Sequence, residues 1–339
     1  MTSGTPLHRG TELSPLVVRH DLRIKSSSDA WLSLHLHAVA PAAGASRAVL
    51  LLHGATLSGY LFDPPAPALS WQKQLAARGW ASYALDARGF GGSTRPSSGD
   101  AGFDEQRPFG RAAEGVADVA DAMRFLRTRL GHAEVALAGF SWGTILAGSF
   151  AAMHPDAVDR LVLYAPIYAE RNPGWLERLR DPRDHAVFNP AFGAYRWTTA
   201  QALRERWDDD IPVADKETWR SPQVLDAVIE GALGSDPQSG GRAPPAFRAP
   251  NGPFEDVFRA CSGQALYDAS AIRAPALLVR GDADTTSTDA DARHLLDRLG
   301  SRLKRYRTVS PGSHFVCFER SAPQLLAACE EFLETPGTG

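Results

Sequence analysis

Cysteine is scarce in this 339-residue chain, lysine nearly so, and long apolar runs are missing. Cys261, Cys317 and Cys329 form an odd set without metal-like spacing. They exclude a disulfide framework and a structural zinc, and they read as buried free thiols. Lys25, Lys73, Lys216 and Lys304 are the only lysines, although lysine and arginine together number 36. The arginines are scattered and the formal net charge is -3, so there is no basic footprint for nucleic acid, and a small molecule is the expected partner. No stretch approaches the roughly 20 apolar residues that cross a bilayer. The opening MTSGTPLHRGTELSP lacks an apolar run of signal-peptide length. The expectation is a cytoplasmic protein without membrane insertion. Nothing in the sequence sets an oligomeric state.

What is present is ordinary globular composition, 44% hydrophobic and 22% charged, long enough for one large core with an insertion or for two domains. LVVRHDLRI (16–24) and AWLSLHLHAV (30–39) alternate apolar with polar around a KSSSD turn, which predicts an antiparallel hairpin. His35 and His37 fall on its polar face. No Cys, Asp or Glu joins them in the strand, so they read as solvated residues rather than as a metal site.

From residue 47 the texture becomes short, uninterrupted apolar runs: AVLLLH (48–53), ASYALD (81–86), VALAG (135–139), LVLYA (161–165) and ALLVRG (276–281). Strands of this kind are buried on both faces, as in a parallel sheet. Helical stretches near 70–78, 111–130 and 142–153 fit right-handed crossovers between them. A late strand, LKRYRTV (303–309), and a final amphipathic helix, APQLLAACEEFLE (322–334), end the chain. The fold class is therefore α/β, with a mostly parallel central sheet and helices on both faces.

One region breaks the rhythm. Between LVLYA and ALLVRG, two helical patches occur, TTAQALRERWDD and SPQVLDAVIEGAL, but no convincing buried strand. The expected organisation is a core over 1–166 and 271–339 and an inserted, mainly helical cap over 167–270. Its stretch GSDPQSGGRAPPAFRAPNGP (234–253) has no period and reads as a lid loop.

Ser141 stands in GFSWG, at the turn between the buried run 135–139 and the helix that follows. Gly139 and Gly143 leave room where a Cβ would collide across such a turn, and the turn lifts the hydroxyl above the strand's carboxyl end. Ligands bind at those ends in open α/β sheets. A serine hydroxyl needs a base, and the base an orienting acid. GDADTTS offers Asp282 and Asp284 after one late strand, and SPGSHF offers His314 after the next.

These motifs make residues 47–339 resemble an α/β-hydrolase fold serine hydrolase. LLLHGA (50–55) resembles the loop after the third strand, and DARGFGGS (86–93) the turn after the fourth. GFSWG matches the nucleophile elbow, and GDAD and GSHF match the acid and base loops. The resemblance implies Ser141 as nucleophile, His314 as general base, and an acid three residues after Gly281, which fits Asp284 better than Asp282. It also implies an oxyanion hole of the Ala55 and Trp142 amides, a structural His53, a turn-organising Asp86, and no cofactor or metal. Haloalkane dehalogenases and epoxide hydrolases of this fold use aspartate where Ser141 stands, which disfavours both activities here.

The long loop TLSGYLFDPPAPALSW (56–71) is expected to form part of the substrate pocket. The cap aromatics Trp175, Trp197, Trp207 and Trp219 are expected mostly in the cap's own core, with some facing the cleft. The function so implied is hydrolysis of a carboxylic ester or lactone of a small, largely apolar molecule through an acyl-enzyme. Amide, thioester or carbon-carbon hydrolysis by the same residues, or non-catalytic ligand binding, stay open.

Overall fold

An apolar run without polar interruption needs cover on both faces, and the central sheet supplies it. The computed structural model describes residues 17–100 and 102–335. β1 (Val17–Lys25) and β2 (Ser33–Pro41) form the antiparallel hairpin; Leu16 of the expected strand and the opening segment lie outside the described residues. β3 (Arg47–Leu52) is followed by α1 (Trp71–Ala77), whose first turn is capped by the Ser70 hydroxyl, and by β4 (Trp80–Asp86), buried at every position. α2 (Ala112–Thr128), β5 (Glu134–Phe140), α3 (Trp142–Met153) and β6 (Leu161–Tyr164) come next.

The stretch after β6 holds α4 (Pro173–Leu179), β7 (Tyr195–Thr199), α5 (Ala200–Asp210), α6 (Pro222–Gly234), β8 (Ala246–Pro250) and α7 (Gly252–Cys261). β9 (Ala276–Gly281), α8 (Asp289–Arg298), β10 (Lys304–Val309) and α9 (Ala322–Glu334) complete the chain.

The main sheet has eight strands in the order β1-β2-β4-β3-β5-β6-β9-β10, parallel from β4 to β10. Period-two alternation sorts the side chains of β3. Leu50 and Leu52 pack with Val119 of α2 and Ile145 of α3, while Val49 and Leu51 pack with Leu75 of α1 and Leu326 of α9. The chain leaves β3 for β4 on one side and returns to β5 on the other. Its carboxyl-end loops part there and open a crevice.

The 234–253 stretch departs from the expectation. It is no structureless lid: α6 ends at Gly234, and β8 pairs antiparallel with β7 from Tyr195↔Pro250 to Thr199↔Ala246. Four of the five β8 residues are buried, so a buried strand does lie between β6 and β9. Proline on both sides of AFRA disguises it as a loop, and its partner strand lies 47 to 55 residues away, beyond the reach of local periodicity.

Candidate active site

Ser141 follows β5 with φ 55° and ψ -120°, a backbone conformation that costs an L-residue energy and that the two flanking glycines make reachable. A Cβ on Gly139 would sit 2.3 Å from the Gly143 carbonyl oxygen, and one on Gly143 would sit 2.4 Å from the Leu52 carbonyl oxygen. Both glycines therefore let the first turn of α3 close onto the ends of β5 and β3. The Ser141 amide donates to the Tyr164 carbonyl at 2.9 Å, which ties the turn to β6.

His314 lies in the loop after β10, with Nε2 3.0 Å from Ser141 Oγ and Nδ1 2.9 Å from Asp284 Oδ2. With Nδ1–H donating to the carboxylate, Nε2 presents a lone pair to the hydroxyl. Asp284 Oδ1 accepts the Thr286 and Ser287 amides, each at 2.8 Å, and this fixes the carboxylate plane. Asp282 does a different job: it accepts Gly312 N–H at 2.9 Å and the Ser310 hydroxyl, and so fastens the two loops together. Of the two sequence candidates, the structure brings Asp284 to the imidazole. The His314 backbone is held in turn, its carbonyl accepting the Tyr164 hydroxyl at 2.8 Å, and Phe140 packs on the ring at 5.0 Å between centroids.

The Ala55 and Trp142 amides flank the Ser141 turn from the β3 loop and from the first position of α3. Neither has a protein acceptor among the described residues. His53 sits behind them, donating through Nδ1 to the Gly54 carbonyl at 2.8 Å and accepting Ala87 N–H on Nε2 at 3.1 Å. Burial pushes its pKa down, so it is a neutral brace with both nitrogens occupied. Asp86 accepts the Gly59 and Gly92 amides at 2.7 and 2.8 Å and so gathers its turn.

A cavity of about 260 Å³ opens over Ser141 and His314. Thr56 and Leu57 of the 56–71 loop line it, whereas Phe62 packs in the core on Trp71, the first residue of α1. Of the four tryptophans singled out in 167–270, Trp175 lines the cavity and Trp207 is fully buried. Trp207 packs on Phe315 and Phe318 and donates to Glu319, which also holds the Ser313 amide at 3.0 Å. Trp175 and Arg206 both donate to the Thr286 hydroxyl, at 3.1 and 2.9 Å. The helices before β9 are thus bonded to both the Asp284 loop and the His314 loop.

Several supporting residues escaped sequence reasoning. Arg280, buried in β9, donates to the Ser287 and Asp284 carbonyls at 2.5 and 2.7 Å; a lone charge inside ALLVRG was its signal. Asp256 accepts the Trp142 indole at 3.0 Å and the Ala112 amide at 2.6 Å. Asp256 had no local signal, because Ala112 and Trp142 lie 144 and 114 residues away; Glu319 likewise meets Trp207 across 112 residues, although Ser313 is only 6 away.

Among the described residues, no cluster of His, Cys, Asp or Glu is arranged to hold a metal ion, and no helix is long and apolar enough to cross a membrane. A serine, an imidazole and a carboxylate in series, beside two unpaired amides, can move a proton and receive a developing negative charge.

Comparison with known proteins agrees with this architecture. A model of the alpha/beta hydrolase fold matches residues 47–321. Epoxide hydrolase 3 of Xenopus tropicalis is 31% identical over 144 residues, which is 42% of this chain and only 32% of that protein, so the match spans about a third of its length. A thermophilic esterase from Thermogutta terrifontis superposes with a TM-score of 0.62 at 17% identity, over 93% of this chain and 98% of the other. The enol-lactonase from Burkholderia xenovorans LB400 gives 0.60 at 18% identity, over 93% and 100%. Likeness at such identities speaks to fold alone. The family match begins at β3 and runs past His314, so it takes in every parallel strand and the three loops that carry Ser141, Asp284 and His314, and on that ground the chain belongs to the alpha/beta hydrolase fold family.

Proposed function

We propose that the protein is a serine hydrolase that cleaves a carboxylic ester or lactone of a small, largely apolar molecule through an acyl-enzyme intermediate. The observation that carries this reading is the continuous relay from Ser141 Oγ through the His314 ring to Asp284, at 3.0 and 2.9 Å.

His314 Nε2 takes the hydroxyl proton as Ser141 Oγ attacks the acyl carbonyl, and Asp284 stabilises the imidazolium that results. The oxyanion of the tetrahedral intermediate falls between the Ala55 and Trp142 amides; one such donor is worth about 2.7 to 4 kcal/mol. His314 then returns the proton to the leaving alkoxide, the carbon-oxygen bond breaks, and the acyl group stays on Ser141. Water, deprotonated by the same imidazole, attacks the acyl-enzyme and releases the acid. Residues 167–270 act as a cap whose Trp175, Arg206 and Phe254 wall the cavity against solvent.

The epoxide hydrolase likeness does not extend to this chemistry. Epoxide hydrolases of this fold carry aspartate where Ser141 stands, and a serine forms a different covalent intermediate. The apolar cavity favours an acyl or alcohol portion without a sugar-like array of hydroxyls.

The test is the initial hydrolysis rate of p-nitrophenyl esters from acetate to decanoate, on the wild type and on Ser141→Ala. Cleavage by the wild type that disappears in the variant is expected. Equal rates in both proteins would remove Ser141 from the mechanism. Cleavage of amides or diketones with esters left intact would move the reaction to another bond.

A further inference from the structure

Among the described residues, two guanidinium groups and no carboxylate line the cavity over Ser141. Arg206 is neutralised, with Nη1 2.6 Å from Asp210 and Nη2 on the Thr286 hydroxyl. Arg196, on β7, is not. Its Nη1 donates to the Pro250 carbonyl at 2.5 Å and to Asn251 Oδ1 at 3.1 Å. Its Nη2 donates to the Ala55 carbonyl and to Thr56 Oγ1, the latter at 3.1 Å. Every one of these acceptors is neutral. The Phe254 ring lies 3.6 Å from the guanidinium carbon. The fifth donor, Nε–H, has no protein acceptor among the described residues.

Loss of water alone lowers the Arg196 pKa, to about 9, and no carboxylate pulls it back up. At neutral pH the group is still a cation, held in an apolar wall without a counter-ion. The field around it has the same sign. α3 begins beside Ser141 and turns its positive end toward this cavity, whereas α7 meets the cavity through Phe254 and Val257, its first amide being taken by the Phe109 carbonyl. A neutral ligand leaves that charge uncompensated, whereas an anion would pair with it in a place water screens poorly.

We propose that Arg196 selects a substrate bearing a carboxylate: an ester or lactone whose free carboxylate pairs with this guanidinium while its acyl carbonyl faces Ser141. A single free N–H beside a small cavity suits a carboxylate better than a phosphate, whose several oxygens each need donors. The inference rests on the ester- or lactone-cleaving reading above and adds the substrate's charge to it. The competing role is mechanical, since Arg196 also ties β7 to the loop of Ala55 and Thr56.

The experiment compares p-nitrophenyl monoesters of succinate, glutarate and adipate with neutral p-nitrophenyl esters of equal carbon count. The expected result is a preference of at least about tenfold in kcat/KM for the anionic ester at one chain length. Arg196→Gln should reduce that anionic-to-neutral ratio about tenfold or more, chiefly through KM, and Arg196→Lys should retain part of it. A mechanical role would lower kcat/KM for both esters alike and leave the ratio where it was, which would overturn the inference. So would a wild type that prefers the neutral ester at every length.

Should Arg196→Gln fail to fold, Thr198→Glu takes its place. It lies two residues along β7 on the same cavity wall, and a carboxylate there should cancel the preference with the Arg196 bonds intact. A second arm needs no turnover: calorimetry of Ser141→Ala, with and without Arg196→Gln, against monomethyl glutarate and methyl pentanoate. If the folded wild type cleaves no ester, the reaction assigned above fails, and this arm alone decides. Binding that requires both the carboxylate and Arg196 upholds the inference; equal binding of the two ligands rejects it.

Discussion

At the carboxyl ends of the parallel strands, His314 has one ring nitrogen on a carboxylate and the other on a hydroxyl. At the antiparallel edge of the same sheet, His35 and His37 have all four ring nitrogens on carboxylates. His35 binds Asp86 at 2.8 Å and Asp21 at 2.9 Å; His37 binds Asp21 at 3.3 Å and Asp63 at 3.4 Å. The sequence reading of these two as solvated strand residues is corrected by these contacts. Their acids lie on β1, at the end of β4 and in the loop after β3, none within their own strand.

The difference between the sites is one of proton logic. Donating a hydrogen bond to Asp86 raises the His35 pKa, and donating one to Asp63 raises the His37 pKa, in both cases against the opposing effect of burial. An imidazole between two carboxylates is stabilised as the cation, where it acts as a clamp and has no lone pair to accept a proton. An imidazole between a carboxylate and a hydroxyl keeps a lone pair aimed at the hydroxyl, which is what general-base chemistry requires.

The largest expected effect lies at the carboxyl-end site. Ser141→Ala or His314→Gln should lower kcat on any cleaved ester by about 10⁴-fold or more. His37→Gln should leave the pH–rate profile in place, and a displaced profile would break the distinction drawn between the two assemblies. Next comes the choice of acid. Asp284→Asn should cost about 10⁴-fold through loss of the productive tautomer. Asp282→Asn, which weakens two loop-fastening hydrogen bonds, should cost no more than about tenfold. Steady-state rates of the two variants decide it, and a reversed order would exchange the roles of the two aspartates.

The edge assembly should be visible in stability rather than in rate. His35 and His37 have folded-state pKa values above their unfolded value near 6.5. Their contribution is therefore fully present below about pH 6.5 and is lost as pH rises through the folded values. Urea unfolding should show His35→Gln less stable than wild type by about 1 to 2 kcal/mol at pH 6, with the gap narrowing toward pH 9. A gap that widens with pH would mean that the clamp works with neutral histidine. His37→Gln, whose hydrogen bonds are longer, should show the same trend with a gap below about 1 kcal/mol.

The sheet and the Ser141 relay were legible because each leaves a local trace. A strand buried on both faces must be apolar throughout, so AVLLLH, VALAG and ALLVRG announced themselves. The Ser141 turn needs two glycines to pass the Leu52 and Gly143 carbonyls, so its spacing was visible as well. Residues 167–270 leave weaker traces. YRWTT is half-buried along its whole length and AFRAP sits among prolines, so neither strand of the small sheet alternates. Arg196 acts across 141 residues of sequence on Ala55 and across 54 and 55 on Pro250 and Asn251, Asp256 across 114 on Trp142, and Glu319 across 112 on Trp207. Spacing within one chain holds no record of such contacts.

Covalent labelling tests most directly whether His314 and Asp284 make Ser141 an activated nucleophile. The folded protein would be treated with a fluorophosphonate at neutral pH, and the adduct located by peptide mass spectrometry in the wild type, Ser141→Ala and His314→Gln. One adduct per chain is expected, on the peptide carrying Ser141, absent from Ser141→Ala and formed far more slowly in His314→Gln. An unlabelled Ser141 in folded wild type, or labelling that proceeds as fast without His314, would contradict it.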